Sequence, residues 1–513
     1  MFNFFSTISS STLTIIICII YALLILVVGT GKWTKGGAVR MDDYFKVGPG
    51  FGFIVLYLGI AGGFHTAFAI PGSMGFYYTH GVAFAANILW TVLTPLGVIY
   101  FIGSRITCLG KKFNYVTPAD LLGDFFGEGK FKIFIACYIL VGCIPLMSAN
   151  IIGPAILLSE GIGPDILSRW GALIIISVLV TTYITTSGMR GLTWTTVAQA
   201  IWMFIAIWLA AFWCLSLFDG SMLDLFNTIK AQKPELLTLP GPMGNKTAQW
   251  WMTWPVFGIA LYWAILPRGF LFFYSARSVA TIRKIGLTVG FYLMLLYVPA
   301  IIIGFVTVVL MPDMAGDKSF PALLAEQAPW WGGFIIAGGL AAGMSSLDAD
   351  INANSAMITK DIYSKYIKPN QPDSHYINFG KIMMVVLIII TVLTSLKDWG
   401  LVTIMIGVTA GMITQLLPAV LAVTVPTSLR ITKNGLLAGI VAGLLAFIVV
   451  FIGTNPTFGF MTLPEGWTFD ASFFGLLFNI PVMLIVSQFT EMPDPERVSR
   501  IRRALDDEFK RSA

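Results

Sequence analysis

The sequence predicts an all-α polytopic membrane protein of about thirteen spanning helices. Three observations carry that prediction. Hydrophobic residues fill 57% of the 513 positions and charged residues only 11%, against about 25% charged in an average soluble domain. The apolar runs are continuous and about 20 residues long, enough for an α-helix to cross a bilayer, whereas a β-barrel would show short alternating segments. The basic residues are also distributed one-sidedly among the loops between those runs.

Taken in order, the runs place spans at 12–30, 51–75, 82–104, 131–158, 168–187, 194–217, 249–275, 285–311, 331–357, 378–396, 399–424, 434–453 and 471–489. No basic stretch precedes the first run and no small-residue cleavage site follows it, so it reads as a retained span, not a signal peptide. With the N-terminus outside, the loops that become cytoplasmic hold four basic residues in 31–50, five in 105–132, then Arg190. Arg277, Arg283 and Lys284 follow, then Lys360, Lys365, Lys368 and Lys381, then Arg430 and Lys433, and six in the tail. These are 25 of the 32 basic residues; six lie on the opposite side and Arg268 falls inside span 7. The positive-inside rule therefore predicts a multi-pass cell (inner) membrane protein with its N-terminus outside and C-terminus cytoplasmic. The chain divides into a first span and loop (1–50), a first repeat (51–217), an extracellular loop (218–248), a second repeat (249–424), two further spans (425–489) and a cytoplasmic tail (490–513).

Composition also excludes several functions. The net charge of +6 does not indicate nucleic acid, because the basic residues are scattered among short loops. The five cysteines show neither metal spacing nor a disulfide framework. His65, His80 and His375 are too far apart in sequence to form a metal-binding helix, and no loop is long enough for an appended catalytic domain. An enzyme is not expected, and nothing implies an obligate protein partner; the lipid bilayer and a small-molecule substrate are the expected partners.

Two spans carry breaks at matching places. Span 2 contains Gly59, Ala61-Gly62-Gly63 and Pro71-Gly72, and span 7 contains Pro267-Arg268-Gly269. If spans 2–6 and 7–11 are two repeats, these are the first helices of each half, as an inverted five-helix repeat requires. The competing reading is that Gly serves packing and Pro only kinks. Span 9 holds the densest polar cluster: Ala341 to Asp350, with Ser345, Ser346, Asp348 and Asp350, then Asn352 and Asn354. Hydroxyls and freed carbonyls are the hard oxygens an alkali cation needs, although Ser hydroxyls can also bond back to the preceding turn. Asp348 and Asp350 are costly in lipid and are expected to face protein or a vestibule.

At these residues the sequence resembles the sodium:solute symporter family. The span-9 stretch Ala341-Ala342-Gly343-Met344-Ser345-Ser346-Leu347-Asp348, running to Lys360-Asp361-Ile362-Tyr363, is similar to that family's signature. Asp43-Tyr44-Phe45, the segment from Tyr183 to Gln199, and Tyr262-Trp263 followed by Pro267 and Ser275-Ala276-Arg277-Ser278 add to the likeness. The resemblance implies a LeuT-like five-plus-five inverted repeat, alternating access, and Na+ as coupling ion between spans 2 and 9. It implies Gly59 and Gly62 as carbonyl ligands and Ala342, Ser345 and Ser346 as span-9 ligands, with Tyr262 closing the solute site. The family commonly has an acid after Trp-Thr in span 6; Thr196 stands there instead, which argues for one sodium.

Gly62-Gly63-Phe64-His65-Thr66-Ala67, Phe113-Asn114-Tyr115-Val116-Thr117 and Thr281-Ile282-Arg283-Lys284 resemble the monocarboxylate and pantothenate branch. Arg268 lies nine residues before the basic loop at Arg277, roughly 13 Å deep at the helical rise. A guanidinium is a bidentate partner for a carboxylate, so Arg268 is a candidate for binding an organic anion; the alternatives are snorkelling or a buried pair with an acid such as Asp348. His65, beyond the span-2 break, is either a solute ligand or a packed neutral histidine. Thr66, Asn150 and Trp263 complete the candidate solute residues. Proton coupling is the nearest rival mechanism, and a membrane solute sensor is the rival of another class.

Overall fold

The computed structural model describes residues 10–31, 40–46, 50–218, 220–242, 248–328, 330–396, 402–454, 459–463, 467 and 469–510. Lys32, Lys35, Lys246, Lys397, Arg511 and the first residues of span 11 lie outside these. Among the described residues the chain is all-helical, and eleven helices are long and apolar enough to cross a bilayer. A bent pair, Trp250–Ala264 with Pro267–Tyr274, makes a twelfth crossing at 52°.

The remaining expected crossing is span 2, which is broken. Its first part, Phe53–Phe64, ends at His65, whose extended backbone (φ −79°, ψ 139°) stops the helix. The chain resumes at Phe68–Gly72 and Ser73–His80. Ser73–Phe113 then runs as one 41-residue helical stretch, about 60 Å long at the helical rise and twice the hydrocarbon thickness. It divides at Gly81, whose φ of +61° no side chain adopts cheaply. In the same way Arg169–Ser216 is two spans joined at Gly188 (φ +56°, ψ −151°).

Span 9, Gly332–Ile367, is the centre of the bundle. Its apolar window is 94% buried, against 28% for span 1. Small residues make that possible, because they let backbones approach closely. A Cβ on Gly343 would lie 2.1 Å from Pro154 Cγ and 2.5 Å from Asn150 O, so this glycine seats span 9 directly on span 4. Span 1 is peripheral: Ile19, Ile20 and Leu23 face outward while Tyr21 and Ile25 pack inward.

Several of the basic residues gather at one end of the bundle, where they are tied together. Lys132 Nζ lies 2.5 Å from Asp120 and 2.9 Å from Asp361. Lys360 bridges Asp42 (3.1 Å) and Asp120 (3.3 Å). Thr117 caps the helix Pro118–Phe126 in a capping box with Asp120, and its hydroxyl donates to Asp361 at 2.7 Å. Burial opposes ionisation of Asp120, but Lys360 and Lys132 outweigh it and hold its carboxyl below the usual range. The Asp-Ile-Tyr signature thus has a structural duty: Asp361 pins the end of span 9 to the foot of span 4.

A C-terminal helix, Pro495–Lys510, lies across the same end. Its apolar stripe, Ile501, Ala504 and Leu505, is buried. Arg500 grips Asp124 with both oxygens at 2.5 and 2.6 Å. Arg502 donates to Ala422 O at 2.6 Å, satisfying a last-turn carbonyl of span 11 with a cation, as the helix dipole favours. Phe509 lies under Arg105 and Arg283. At the opposite end rings close the bundle: Phe76 stacks on Trp254 (5.9 Å, 9°), and Trp251 meets both His80 and Phe84.

Candidate functional site

The break in span 2 is what assembles the site. A helix end leaves carbonyls short of intrahelical partners, and here those of Gly62, which also accepts from His65 N at 3.3 Å, and Gly63 point at span 9. Ser345 Oγ donates to Gly62 O at 3.1 Å and to Ala342 O at 3.1 Å. Ser346 Oγ donates to Gly63 O at 3.3 Å. All five residues are buried. Gly62, Ala342, Ser345 and Ser346, expected together from sequence, therefore do meet. Gly59 sits one turn further from the break, against Thr193 and Phe272. Gly63 is a member that sequence reasoning missed; the only signal was its place beside Gly62.

The corner is built of neutral, hard oxygens. Hydroxyls and backbone carbonyls suit an alkali cation, not a soft metal, and half-helix C-terminal carbonyls are where transporters of this architecture hold Na+. Among the described residues no group of three or more His, Cys, Asp or Glu gathers as a metal site. The glycines are required by space as well: a Cβ on Gly62 would meet Thr196 O at 2.8 Å. Thr196 packs here and donates to Leu192 O at 2.8 Å.

Beside the corner lies a small cavity of about 20 Å³. Thr66, Tyr262 and Trp263, expected from sequence, line it together with Phe64, Trp90, Trp254 and Tyr297. Phe64 stacks on Trp263 at 4.3 Å, and Trp263 on Tyr262 at 5.3 Å. His65 is fully buried, with its ring 6.3 Å from Trp90 and 5.5 Å from Tyr297. Trp90 and Tyr297, in spans 3 and 8, gave no sequence signal that set them apart from packing aromatics.

Arg268 is fully buried and paired. Its Nη1 lies 2.8 Å from Asp350 Oδ2 and its guanidinium 4.4 Å over the Trp263 ring. The acid partner is Asp350 and not Asp348, which instead accepts from Tyr183 OH at 3.0 Å. The reason is helical geometry: two residues apart on one helix point in different directions. Asn150 does not line the cavity. Its Oδ1 accepts from Ala67 N at 3.1 Å, meeting a backbone donor freed by the span-2 break, and its Nδ2 reaches Asp350 at 3.4 Å. It ties the break to the Arg268–Asp350 pair.

Comparison with known proteins agrees with this architecture. The "Uncharacterized symporter YhjB" of Bacillus subtilis (strain 168) is 26% identical over 481 residues, 92% of this chain and 96% of the relative. A "Monocarboxylate transport permease protein" of Rhizobium johnstonii is 22% identical over 490 residues, covering 93% and 97%. Among solved structures, a Na+-coupled sialic acid symporter in a substrate-bound outward-open state superposes with a TM-score of 0.77 at 17% identity, over 94% of this chain and 99% of that one; the shared fold is LeuT-like. The profile of the Sodium:solute symporter family matches residues 44–443. With its broken span 2, its paired span-9 serines and that match across most of its length, the chain belongs to the sodium:solute symporter family.

Proposed function

We propose that this protein carries a small organic solute into the cell with Na+, by alternating access across the cell (inner) membrane. The observation that carries the reading is the meeting of the Ser345 and Ser346 hydroxyls with the Gly62 and Gly63 carbonyls at the broken end of span 2. One partner comes from each expected repeat, residues 51–217 and 249–424. A sodium ion held there favours the arrangement in which the two repeats are locked together, because a ligand shifts an equilibrium only by its differential affinity for the two states. The aromatic cavity begins at Phe64, directly after Gly62–Gly63, so ordering the break by Na+ also orders Thr66 and the wall beside it. That is a coupling free energy between adjacent sites, and it is reciprocal.

The basic end, with Lys132, Lys360 and the C-terminal helix, is assigned to the cytoplasm by the positive-inside rule, and the aromatic end to the outside. Uptake into proteoliposomes driven separately by a sodium and a proton gradient tests the mechanism. Sodium-dependent accumulation supports it. Accumulation indifferent to sodium and abolished by collapsing the proton gradient overturns it in favour of proton coupling.

A further inference from the structure

We propose that the C-terminal helix, Pro495–Lys510, is a strap across the end assigned above to the cytoplasm: it holds that end shut in the sodium-bound state and lets go when the end opens. The inference rests on the alternating-access reading above and adds to it a regulatory element outside the cavity and the cation corner.

Hydrogen bonds and close backbone approaches sort the helices at this end into two groups. Spans 2, 3, 7 and 8 form the first. Phe51, at the start of span 2, exchanges backbone hydrogen bonds with Ser275 and Arg277, just past span 7, at 2.8 and 3.1 Å. Thr107, where span 3 continues, donates to Phe273 O of span 7 at 3.0 Å. A Cβ on Gly286 of span 8 would lie 2.8 Å from Tyr100 Cα of span 3. The second group is span 4, the end of span 9 and the helix Pro118–Phe126, joined through Lys132, Asp120, Asp361 and Thr117. The end of span 11, Leu417–Thr424, packs on that helix.

The C-terminal helix lies across the divide. Its first half holds the second group, through Arg500 on Asp124 and Arg502 on Ala422 O. Its second half holds the first group. Asp507 accepts from Lys112 at 3.2 Å, Ala504 O accepts from Cys108 Sγ at 3.5 Å, and Phe509 lies under Arg105 and Arg283. Arg500 itself straddles the divide, with the Phe113 ring of span 3 beneath its guanidinium. A helix gripped by two bodies loses one grip when they part. These grips are half-exposed ion pairs and single hydrogen bonds, each worth little alone, so the strap can release where the buried Lys132 network cannot.

The cation corner crosses the same divide, since Gly62 and Gly63 belong to span 2 and Ser345 and Ser346 to span 9. Two links that close one gap favour each other, and the coupling is reciprocal. A docked strap raises sodium affinity, and sodium keeps the strap docked.

Cys108 reports docking, because it is 7% exposed and lies against Ala504 of the strap. The test is its alkylation by N-ethylmaleimide in the purified full chain, mapped by peptide, in sodium and in potassium at equal ionic strength. Sodium is expected to slow alkylation at least about threefold, and to do so no longer in Ser345→Ala. Arg500→Ala with Arg502→Ala cuts one grip, and Lys112→Ala with Phe509→Ala the other. Each pair is expected to raise the sodium concentration needed for half of the thermal stabilisation about tenfold, because apparent affinity falls with the fraction of competent protein. All four changes together should add no more than about twofold, because a bridge is lost with either end, whereas independent packing contacts add. Sodium affinity unchanged in both pairs overturns the proposal. So does equal labelling of Cys108 in sodium and potassium by a protein whose stability responds to sodium. A protein whose stability does not respond to sodium defeats the transporter reading beneath it.

Discussion

Replacing Ser345 with Ala removes one hydroxyl from the proposed cation corner and little else. The side chain is fully buried and its Oγ reaches both Gly62 O and Ala342 O at 3.1 Å. Loss of neutral hydrogen bonds lowers stability by about 1 kcal/mol, which sodium-free unfolding would record. Loss of an oxygen facing an ion is worth about 1.5–3 kcal/mol, or about ten- to a hundredfold in sodium affinity. At sodium about a hundred times its Kd the wild type gains about 2.7 kcal/mol from binding; weakening the site thirtyfold reduces that gain to about 0.9 kcal/mol. The assay is unfolding of the purified protein over a sodium titration, paired with the half-saturating sodium concentration for uptake. Ser346→Ala should behave alike, through Gly63 O. A shift of less than about threefold in both variants, with the sodium-free stability unchanged, refutes the placement of the ion.

Four further outcomes follow from the packing. Arg268→Ala strands the buried Asp350 carboxylate and should destabilise by about 3–5 kcal/mol, whereas Arg268→Met with Asp350→Leu should recover most of it; thermal unfolding of the single and double variants decides, and equal losses contradict the pairing. Lys132→Met leaves Asp120 and Asp361 facing each other without their shared cation, a loss of similar size, readable in the same way. In the C-terminal helix, Leu505→Ala should cost about 2–5 kcal/mol as a buried truncation, and Arg500→Ala under about 1 kcal/mol because that side chain is half exposed. Burial, with repulsion from Lys360, pulls the Lys46 ammonium down to about 8 despite Asp42, Asp120 and Asp43. Its charged form is therefore disfavoured in the folded state, a penalty present below pH 8 and relieved as pH rises from about 8 to the ordinary lysine value near 10.4. The wild type should gain stability over Lys46→Met across that interval, and parallel pH profiles would exclude the effect.

The polytopic architecture was legible from composition, run length and loop charge, because a bilayer demands about twenty apolar residues per helix and no exposed backbone polarity. Those demands act on local sequence, so local sequence reports them. The breaks were legible in part: Gly62-Gly63 stands just before the helix end at His65 and Pro267 opens the second part of span 7, whereas Pro71-Gly72 lies within helical backbone. Ser345 and Ser346 stood out because hydroxyls cluster in a span only at some expense, and Ala342 through the family resemblance alone. What was not legible was who faces whom. Gly63 joins the corner through its carbonyl, and a carbonyl is the same in every residue, so no residue type announces it. Asp350 rather than Asp348 meets Arg268 because of the rotation of span 9 against span 7, which depends on how Gly343 seats that helix on span 4. Trp90 looks like any other interfacial tryptophan until span 3 is folded back at Gly81 and its indole turns toward the cavity. The sequence by itself determined that the chain crosses the membrane many times, where two helices break, and which hydroxyls are candidates for a cation. Only the tertiary structure decided which carbonyls they meet and which side chains wall the cavity, because those relations join residues 82 to 283 positions apart through packing that no local pattern encodes.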